Sequence, residues 1–574
     1  MLESLINTLT SAEPIYGNVY QAVLRYVAPL LSAILLLRSV RPLLTFRREP
    51  EIWAWLRLKD NRRIPVIHWE SVIGRSKRSD VVIDVPTVSR NHAVLTRYDD
   101  GSWTIRDAGS KSGVAVNGKE AQISVVTPED VITIGGVDMT LQPITKKQEI
   151  RLSQLRTKAA SPGFGIGSCM ILTVFQILCC LSYLLCGNAA YAGSYLIGFG
   201  GIIAFQWMLL GFYLAVRKPS FEVETLVFFL CTLGMCAISA VKPEEAGKQL
   251  LAIGMGIGAY LLVGWSLRDL ERAKRIRYLA AAAGIAFLLI TLVFGKEYHG
   301  AKNWLILGGM SFQPSELSKV CFVYVGASTM DRLVNRRNLI LFIGYTIVIC
   351  ACLAVMNDFG TALIFFTAFL LIAYLRSGSV GTIALACTSL GFAGTIAVKI
   401  APHALRRFES WRHIWEQPLT SGHQQTRALM CLASGGFLGL GAGNGWMRNV
   451  FASDSDMVFA TISEEWGLIM AMMMVFCILV IGLFSIRSAA IERSCFYIIG
   501  GCTAAGVLTV QTIFNALGTV DILPLTGVTF PFVSNGGSGM IGAWALLAFV
   551  KAADTRQNAS FAVKQLQEGR EGNE

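Results

Sequence analysis

The sequence predicts a polytopic α-helical membrane protein with an all-β sandwich inserted near its N-terminus. Three observations carry this reading. Of 574 residues, 53% are hydrophobic and 15% charged, and mean hydropathy is +0.53, the balance of a mostly membrane-embedded chain. Apolar runs of about twenty residues, long enough to cross a bilayer as helices, recur between positions 165 and 551. Ahead of them, residues 63–143 switch to short alternating runs separated by turn residues, the pattern of a sandwich.

In chain order, residues 1–45 form an N-terminal membrane anchor. Its run VYQAVLRYVAPLLSAILLL, from Val19 to Leu37, is just long enough to span, is weakened by Arg25, and is followed by the basic RSVRPLLTFRR. The positive-inside rule then puts the N-terminus outside and begins the cytoplasmic part after Arg38. A convincing small-residue cleavage site is missing, so the run reads as a retained anchor. The β region follows with VVIDV, HAVLTRY, SWTIRDA, GVAVNG, DVITIGG and DMTLQPI. Residues 144–163, with KKQEIRLSQLRTK, make a basic amphipathic connector.

Apolar runs lie near 165–186, 190–215, 223–240, 248–266, 277–294, 317–332, 338–356, 359–375, 380–400, 464–485, 495–516 and 537–551. With the anchor this predicts about thirteen helices, two of them in 164–220 ahead of a main body at 221–553. If Phe164 starts inside, Arg217-Lys218, RDLERAKRIR, DRLVNRRN, LRSGS and SIRSAAIERS all face the cytoplasm, as the rule demands. The β domain and the tail at 554–574 then share the cytoplasmic side, where kinases act. The tail is polar and is expected to be disordered.

The net charge of +12 does not call for nucleic acid, because cytoplasmic loops and contacts to anionic membrane lipids account for it. The 14 cysteines sit in apolar runs without ligand spacing, as Cys179, Cys180, Cys231, Cys350 and Cys352 do, and read as small packing residues. No local cluster has dedicated metal-ligand spacing, and a divalent cation is left open.

The stretch at 402–463 is a long polar insert between apolar segments. Loops beyond about 12–15 residues are usually functional or disordered. This one carries Trp411, Trp415, Trp446 and a run of small residues from Ser434 to Gly445, a poor composition for disorder, and reads as a folded roof on the outer side. Three further outward segments place polar residues in apolar context. In Gly300–Lys319 a proline opens a helix carrying Glu316 and Lys319 on one face; such groups near a bilayer are functional candidates or a structural ion pair. In Asn357–Thr361, Asp358 is a site residue or the cap of the next helix. In Leu523–Ser538, glycines and serines let backbone approach a ligand or a neighbouring helix.

Within the β region, Gly74-Arg75, Ser89-Arg90-Asn91-His92, Asp107-Ala108-Gly109-Ser110-Lys111-Ser112-Gly113 and Val116-Asn117-Gly118 stand in order. Together they resemble a forkhead-associated (FHA) domain. The resemblance implies a phosphothreonine-containing protein partner, with Arg75 and Ser89 on the phosphate, Arg90 and Lys111 nearby, and Ser112 and Asn117 in the recognition loops. An arginine fork with a hydroxyl suits a dianionic phosphate. Ser112 stands where the family has asparagine before glycine, which bears on recognition of the peptide backbone. His92 reads as a satisfied core histidine.

In the membrane body, GAKNWLILGGMSFQPSELSK, NDFGTA, LASGGFLGLGAG with SDSDMVFATISEEWG, and LPLTGVTFPFVSNGGS resemble the SEDS family (shape, elongation, division and sporulation) over about residues 223–553. The resemblance implies a ten-helix core in the bacterial cytoplasmic membrane, preceded here by extra helices. It implies polymerisation of lipid II, or a related undecaprenyl-linked glycan, into peptidoglycan at the outer leaflet, beside a class B penicillin-binding transpeptidase. In that inverting transfer a sugar 4-hydroxyl attacks the anomeric carbon of the growing chain and undecaprenyl pyrophosphate leaves. A base must take the hydroxyl proton, and cations or donors must meet the developing pyrophosphate charge. The implied substrate-binding set is Lys302, Trp304, Gln313, Ser315, Glu316, Lys319, Asp358, Thr361, Arg412, Gln424, Asp456, Glu465, Ser534 and Gly536, with Arg406, Arg407 and Arg427 as further cations.

The chain departs from the family where its chemistry is concentrated. Gln417 precedes Pro418 at the position of the family's catalytic aspartate, and an amide accepts no proton. Arg427 replaces a glutamine, and Asn303 stands where an arginine usually precedes Trp304. Three readings stay open: Glu416 serves as base after a local shift, Asp456 or Glu316 replaces it, or the protein is a catalytically inactive scaffold that recruits a transpeptidase and a phosphorylated partner. A lipid flippase is the third function class; charges gathered at helix ends argue against it.

Overall fold

The computed structural model describes residues 14–45, 52–77, 79–98, 101–145, 147–148, 151, 158–298, 301–307, 310–330, 336–377, 409–490 and 494–562, with isolated positions between 380 and 405.

The β domain is a two-sheet sandwich. Its strands are β1 (Ala54–Leu58), β2 (Arg63–Val66), β3 (Glu70–Gly74), β4 (Val81–Val82), β5 (Ala93–Arg97), β6 (Trp103–Asp107), β7 (Val114–Val116), β8 (Lys119–Glu120), β9 (Ile123–Val126), β10 (Val131–Ile134) and β11 (Val137–Pro143). They form one sheet in the order β2-β1-β11-β10-β7-β8 and another in the order β4-β3-β5-β6-β9. Alternation explains the fold: along β6, Trp103, Ile105 and Asp107 turn inward and Thr104 and Arg106 do not. Trp103 and Ile105 join Leu56, Ile73, Leu95, Ile132 and Leu141 in one core. The sandwich opens at Ala54 rather than Arg63, because β1 pairs between β2 and β11.

The helical body comprises α1 (Pro14–Leu44), α2 (Pro162–Cys186), α3 (Ala192–Ala215), α4 (Glu222–Val241), α5 (Ala246–Leu267), α6 (Leu270–Phe294), α7 (Ser315–Met330), α8 (Arg336–Val355), α9 (Phe359–Ser377), α10 (His423–Gly435), α11 (Val458–Trp466), α12 (Leu468–Ala489), α13 (Cys495–Thr519) and α14 (Gly537–Ala552). Among the described residues ten helices are long and apolar enough to cross a membrane, and α14 is a shorter apolar helix. The sequence count of about thirteen differs because α7 and α14 each have 16 residues and the run at 380–400 lies mostly outside the described residues. Helix α4 is the central column, with nearly its whole length buried. A buried amide pair ties the extra helices to it: Gln176 Nε2 of α2 donates to Gln206 Oε1 of α3 and to Thr232 Oγ1 of α4, each at 3.0 Å.

Two sequence expectations are revised, and one element that the sequence reading left undescribed is added. The predicted helix at 464–485 is two helices, because Gly467 (φ +89°) turns the chain sharply between them, and a Cβ there would meet Phe437 O at 2.2 Å. The segment before α7 is a small antiparallel sheet of β12 (Lys296–Tyr298), β13 (Ala301–Leu307) and β14 (Met310–Phe312). The tail is ordered through residue 562, because it carries both charge and ring surface that the bundle can take up. Arg556 is 3% exposed between Asp554 (2.8 Å) and Glu222 (3.4 Å), and Phe561 packs on Tyr213 and Tyr260. Residues 563–574 lie outside the described residues.

Candidate active site

The bundle gathers five connections at one end: residues 242–245, 295–314, 356–358, the long loop, and 520–536. The described part of the long loop, residues 409–463, is folded. Helix α10, the short turn at Met447–Asn449 and helix α11 enclose a small apolar core of Ala428, Cys431, Met447, Val450, Met457 and Ala460, against which Leu525 packs. Glu464 holds that turn, accepting from Trp446 N at 3.0 Å and Met447 N at 2.8 Å.

The segment from Leu523 to Ser538 runs between two polar clusters and joins them. On one side lies Asp358, 8% exposed, which accepts from Asn303 Nδ2 (3.0 Å), Gln313 Nε2 (3.2 Å) and the N–H of Thr361 (3.2 Å). Asp358 therefore caps α9 and also ties it to β13 and to the start of α7. Beside it Lys319 Nζ pairs with Glu316 Oε2 at 2.7 Å, both nearly buried. Gln313 N donates to Ser538 Oγ at 3.0 Å, and a Cβ at Gly539 would lie 3.4 Å from Thr529 Oγ1 and 4.0 Å from Glu316 Oε2. Gly360 lies closer still to this segment: a Cβ on it would fall 2.6 Å from Thr526 O. On the other side Asp454, 3% exposed, pairs with Lys242 at 3.0 Å and accepts from Asn535 Nδ2 at 2.7 Å. Ser534 Oγ donates to Ser455 O at 2.7 Å, and Asn515 Nδ2 to Asp456 O and Val528 O, both at 2.9 Å.

Several buried polar atoms at this junction make no hydrogen bond among the described residues: Asn303 Oδ1, Ser315 Oγ, Thr526 Oγ1 and, apart from its ion pair, Lys319 Nζ. An uncompensated buried polar atom costs about 1–3 kcal/mol. Such a set is equipped to meet an anionic or polyhydroxylated ligand. No group of three or more His, Cys, Asp or Glu side chains among the described residues is placed to hold a metal ion.

Of the residues singled out from sequence, Gln313, Ser315, Glu316, Lys319, Asp358, Thr361, Asp456 and Ser534 come together here. Gly536 caps α14 with open space beside it. Lys302 Nζ instead donates to Leu292 O at 2.7 Å at the end of α6, and Trp304 is half-buried on β13. Arg412 is exposed, its N–H on Asp521 at 3.2 Å and its guanidinium 5.4 Å over Trp411. Gln424 donates to Phe451 O at 2.9 Å. Glu416 is exposed and paired with His413 at 3.0 Å, and Gln417 Oε1 accepts from Ser421 Oγ at 2.6 Å. Glu465 lies inside the fold, 2% exposed, accepting from Tyr183 OH at 3.0 Å. Arg427 is stacked 5.6 Å from the Trp446 ring, and Arg406 and Arg407 lie outside the described residues. Sequence reading missed Lys242, Glu245, Asp454, Asn515 and Asn535. Their signal was present only as polar residues at the ends of apolar runs.

In the β domain the predicted phosphate residues share one sheet end. Arg75 N donates to Ser89 O at 3.0 Å and Lys111 N to Ser89 Oγ at 3.1 Å, while the Arg75, Arg90 and Lys111 side chains are exposed. Ser112 Oγ donates to Thr87 O at 3.1 Å. Asn117 is engaged with Asp130 at 2.6 Å and Val131 N at 2.9 Å, which fastens the hairpin turn. His92 is fully buried with both ring nitrogens bonded, to Ser89 N and Gly113 O.

Comparison with known proteins agrees with this division. Residues 223–559 match the FtsW/RodA/SpoVE model, described as cell cycle protein, and residues 71–135 match the FHA domain. The chain is 28% identical over 333 residues to the peptidoglycan glycosyltransferase RodA of Mycobacterium tuberculosis, covering 54% of this chain and 70% of that one. It is 29% identical over 370 residues to the probable peptidoglycan glycosyltransferase FtsW of Tolumonas auensis, covering 59% and 93%. A solved chain from work on the coordination of polymerization and crosslinking by a peptidoglycan synthase complex is alike in fold, with a TM-score of 0.50 and 23% identity over 58% of this chain and 96% of that one.

Proposed function

This chain belongs to the FtsW/RodA/SpoVE family of cell cycle proteins, and from that premise we propose that it polymerises lipid II, or a closely related undecaprenyl-linked glycan, into peptidoglycan. The observation that carries the proposal is the junction of Glu316, Lys319, Asp358, Asp454 and Asn535, drawn from segments far apart in sequence to one end of the bundle. That end faces outward, in keeping with the basic loops at the other.

Lys319, with the donors of Ser315 and Thr526, meets the pyrophosphate as its negative charge develops; fixed charges and dipoles in a water-poor site are worth more there than in water. The base is Asp456. Glu316, Asp358 and Asp454 are 7%, 8% and 3% exposed, whereas Asp456 is half-buried on the stretch whose backbone meets Asn515 and Ser534. Glu416 points into solvent, its side chain 73% exposed. Labelled lipid II given to the purified protein, alone and with a class B transpeptidase, tests this. Polymer that persists in Glu416→Gln and disappears in Asp456→Asn is the expected result; the reverse moves the base to Glu416.

A second reading is favoured by Gln417, an amide bonded to Ser421 where the family's acid is expected. In that reading the protein is a silent scaffold for a transpeptidase and a phosphorylated partner, and no polymer forms under either condition. In both readings the β domain, on the cytoplasmic side, docks a phosphothreonine protein on Arg75, Ser89 and Lys111.

A further inference from the structure

The helices ahead of residue 223 fall outside the FtsW/RodA/SpoVE match, yet α1 touches the most glycine-rich part of the long loop. Gln21, 4% exposed, donates through Nε2 to Ala442 O at 2.7 Å and accepts through Oε1 from Asn444 Nδ2 at 2.8 Å. One turn on, the Arg25 guanidinium donates to Leu440 O. The loop is shaped to receive them. Gly441 adopts φ +95°, and a Cβ on it would fall 2.5 Å from Gln21 Oε1. From the other side Leu440 N and Gly441 N donate to Glu464 O and Glu465 O at 2.8 and 2.9 Å. Residues 440–444 are thus gripped between α1 and the end of α11. The opposite end of the same short helix, Val458, follows directly on Met457 and on Asp454–Asp456, the stretch that meets Ser534 and Asn535.

We infer that α1 is a built-in clamp on the long loop, and that Gln21 and Arg25 are positioning residues that set the register of the Asp454–Asp456 stretch through residues 440–444. The physical reason is the small-residue composition of the loop. Glycines at 439, 441 and 443 allow its sharp course but leave it many alternatives in isolation, and a side-chain amide satisfying two loop groups at once selects one. Displacements of about 1 Å at a reacting centre cost up to about 100-fold in rate. The inference rests, for its catalytic consequence only, on reading the site as a glycosyl-transfer site.

The test uses the full chain with Gln21→Leu, which keeps bulk and removes both bonds, and Asn444→Ala, which from the exposed loop side removes the bond to Gln21 and one within the loop to Leu440 O and leaves the helix untouched. Deuterium uptake of peptides covering 439–447 should rise in both, with the melting temperature of the bundle within a few degrees of the parent. Lipid II polymerisation should fall at least about tenfold in kcat with KM little changed. Uptake unchanged in both variants overturns the clamp, whether or not polymer is made. Raised uptake with undiminished kcat overturns the positioning role. Raised uptake in both variants, when the parent protein itself makes no polymer, upholds the clamp and removes the glycosyl-transfer reading instead.

Discussion

Asn535 binds Asp454 twice: its backbone N–H donates to the Asp454 carbonyl at 2.8 Å, and its side-chain amide donates to the Asp454 carboxylate at 2.7 Å. The same amide reaches Glu245 Oε2 at 2.6 Å. One residue of the segment before α14 therefore secures the end of the long loop and the start of α5. Hydrogen bonds to charged groups are worth about 1.5–3 kcal/mol each. Asn535→Ala should lower the unfolding free energy of the bundle by roughly 3 kcal/mol and abolish polymerisation, whereas Asn535→Asp, which places a third carboxylate beside Asp454 and Glu245, should be worse. Thermal unfolding in detergent and a lipid II assay check both; an alanine variant as stable and active as the parent would refute the role.

Glu316 and Lys319 form a nearly buried pair whose two members differ in what their loss leaves behind. Removing one partner strands a buried charge, at about 3–5 kcal/mol, while replacing both with neutral groups costs far less. Lys319→Met should therefore destabilise strongly, and Glu316→Gln with Lys319→Gln should recover most of the stability and none of the polymerisation. A double variant that regains activity would make the pair purely structural.

How much of this was legible in the sequence depends on whether a residue acts through its neighbours or across the fold. The sandwich could be read because inside and outside alternate residue by residue along strands such as β6, and the spans because apolar runs are local. Pro314 and Glu316 announced α7 in the same way. The partners of Asp358 could be placed only as motif residues: nothing local says that Gln313 reaches it from 45 positions away. Gln21 was invisible for the same reason, being one amide in an apolar run whose partners lie more than 400 positions later. The tail misled because charge normally signals solvent, and here Arg556 neutralises both Asp554 and Glu222 inside the bundle.

That tail gives a sharp outcome of its own. Arg556 donates to Ser220 Oγ at 2.9 Å as well as to its two carboxylates, and Lys551 meets Glu224 at 3.3 Å in the same fully buried network. Arg556→Ala leaves two buried carboxylates with one cation fewer and should destabilise the bundle by about 3–5 kcal/mol. Truncation after residue 562 should be silent by comparison. Equal melting temperatures for Arg556→Ala and the parent would show the network to be dispensable.

The β domain should bind a phosphothreonine peptide and not its unphosphorylated form. Arg75 and Lys111 are exposed at the same sheet end as Ser89, and charge-assisted bonds to phosphate are about twice as strong as neutral ones. Arg75→Ala should weaken binding by at least about tenfold, Ser89→Ala by less, and Asn117→Ala should act through stability because its side chain bonds Asp130 and Val131. Isothermal titration with the full chain, using a peptide library selected on the parent, separates these; affinity indifferent to Arg75 would remove the phosphate assignment.

Glu465 supplies a pH dependence with a definite sign. It accepts from Tyr183 OH at 3.0 Å and Gly445 N at 3.4 Å, but its burial outweighs these donors and pushes its carboxyl up to about 7; the neighbouring Glu464 adds to the rise. A glutamate in the unfolded chain titrates near ~4.3, so the folded state holds the proton more tightly. Stability from this group is complete below about pH 4 and is lost as pH rises through about 7, a swing on the order of 3 kcal/mol. Melting temperature should accordingly fall between about pH 5 and pH 8. Glu465→Gln, which keeps an acceptor for Tyr183 and cannot ionise, should flatten that slope and exceed the parent's stability at the alkaline end. Melting curves of parent and variant across this range decide the matter: an identical slope in both would assign the dependence to other groups and leave Glu465 ionised in its pocket.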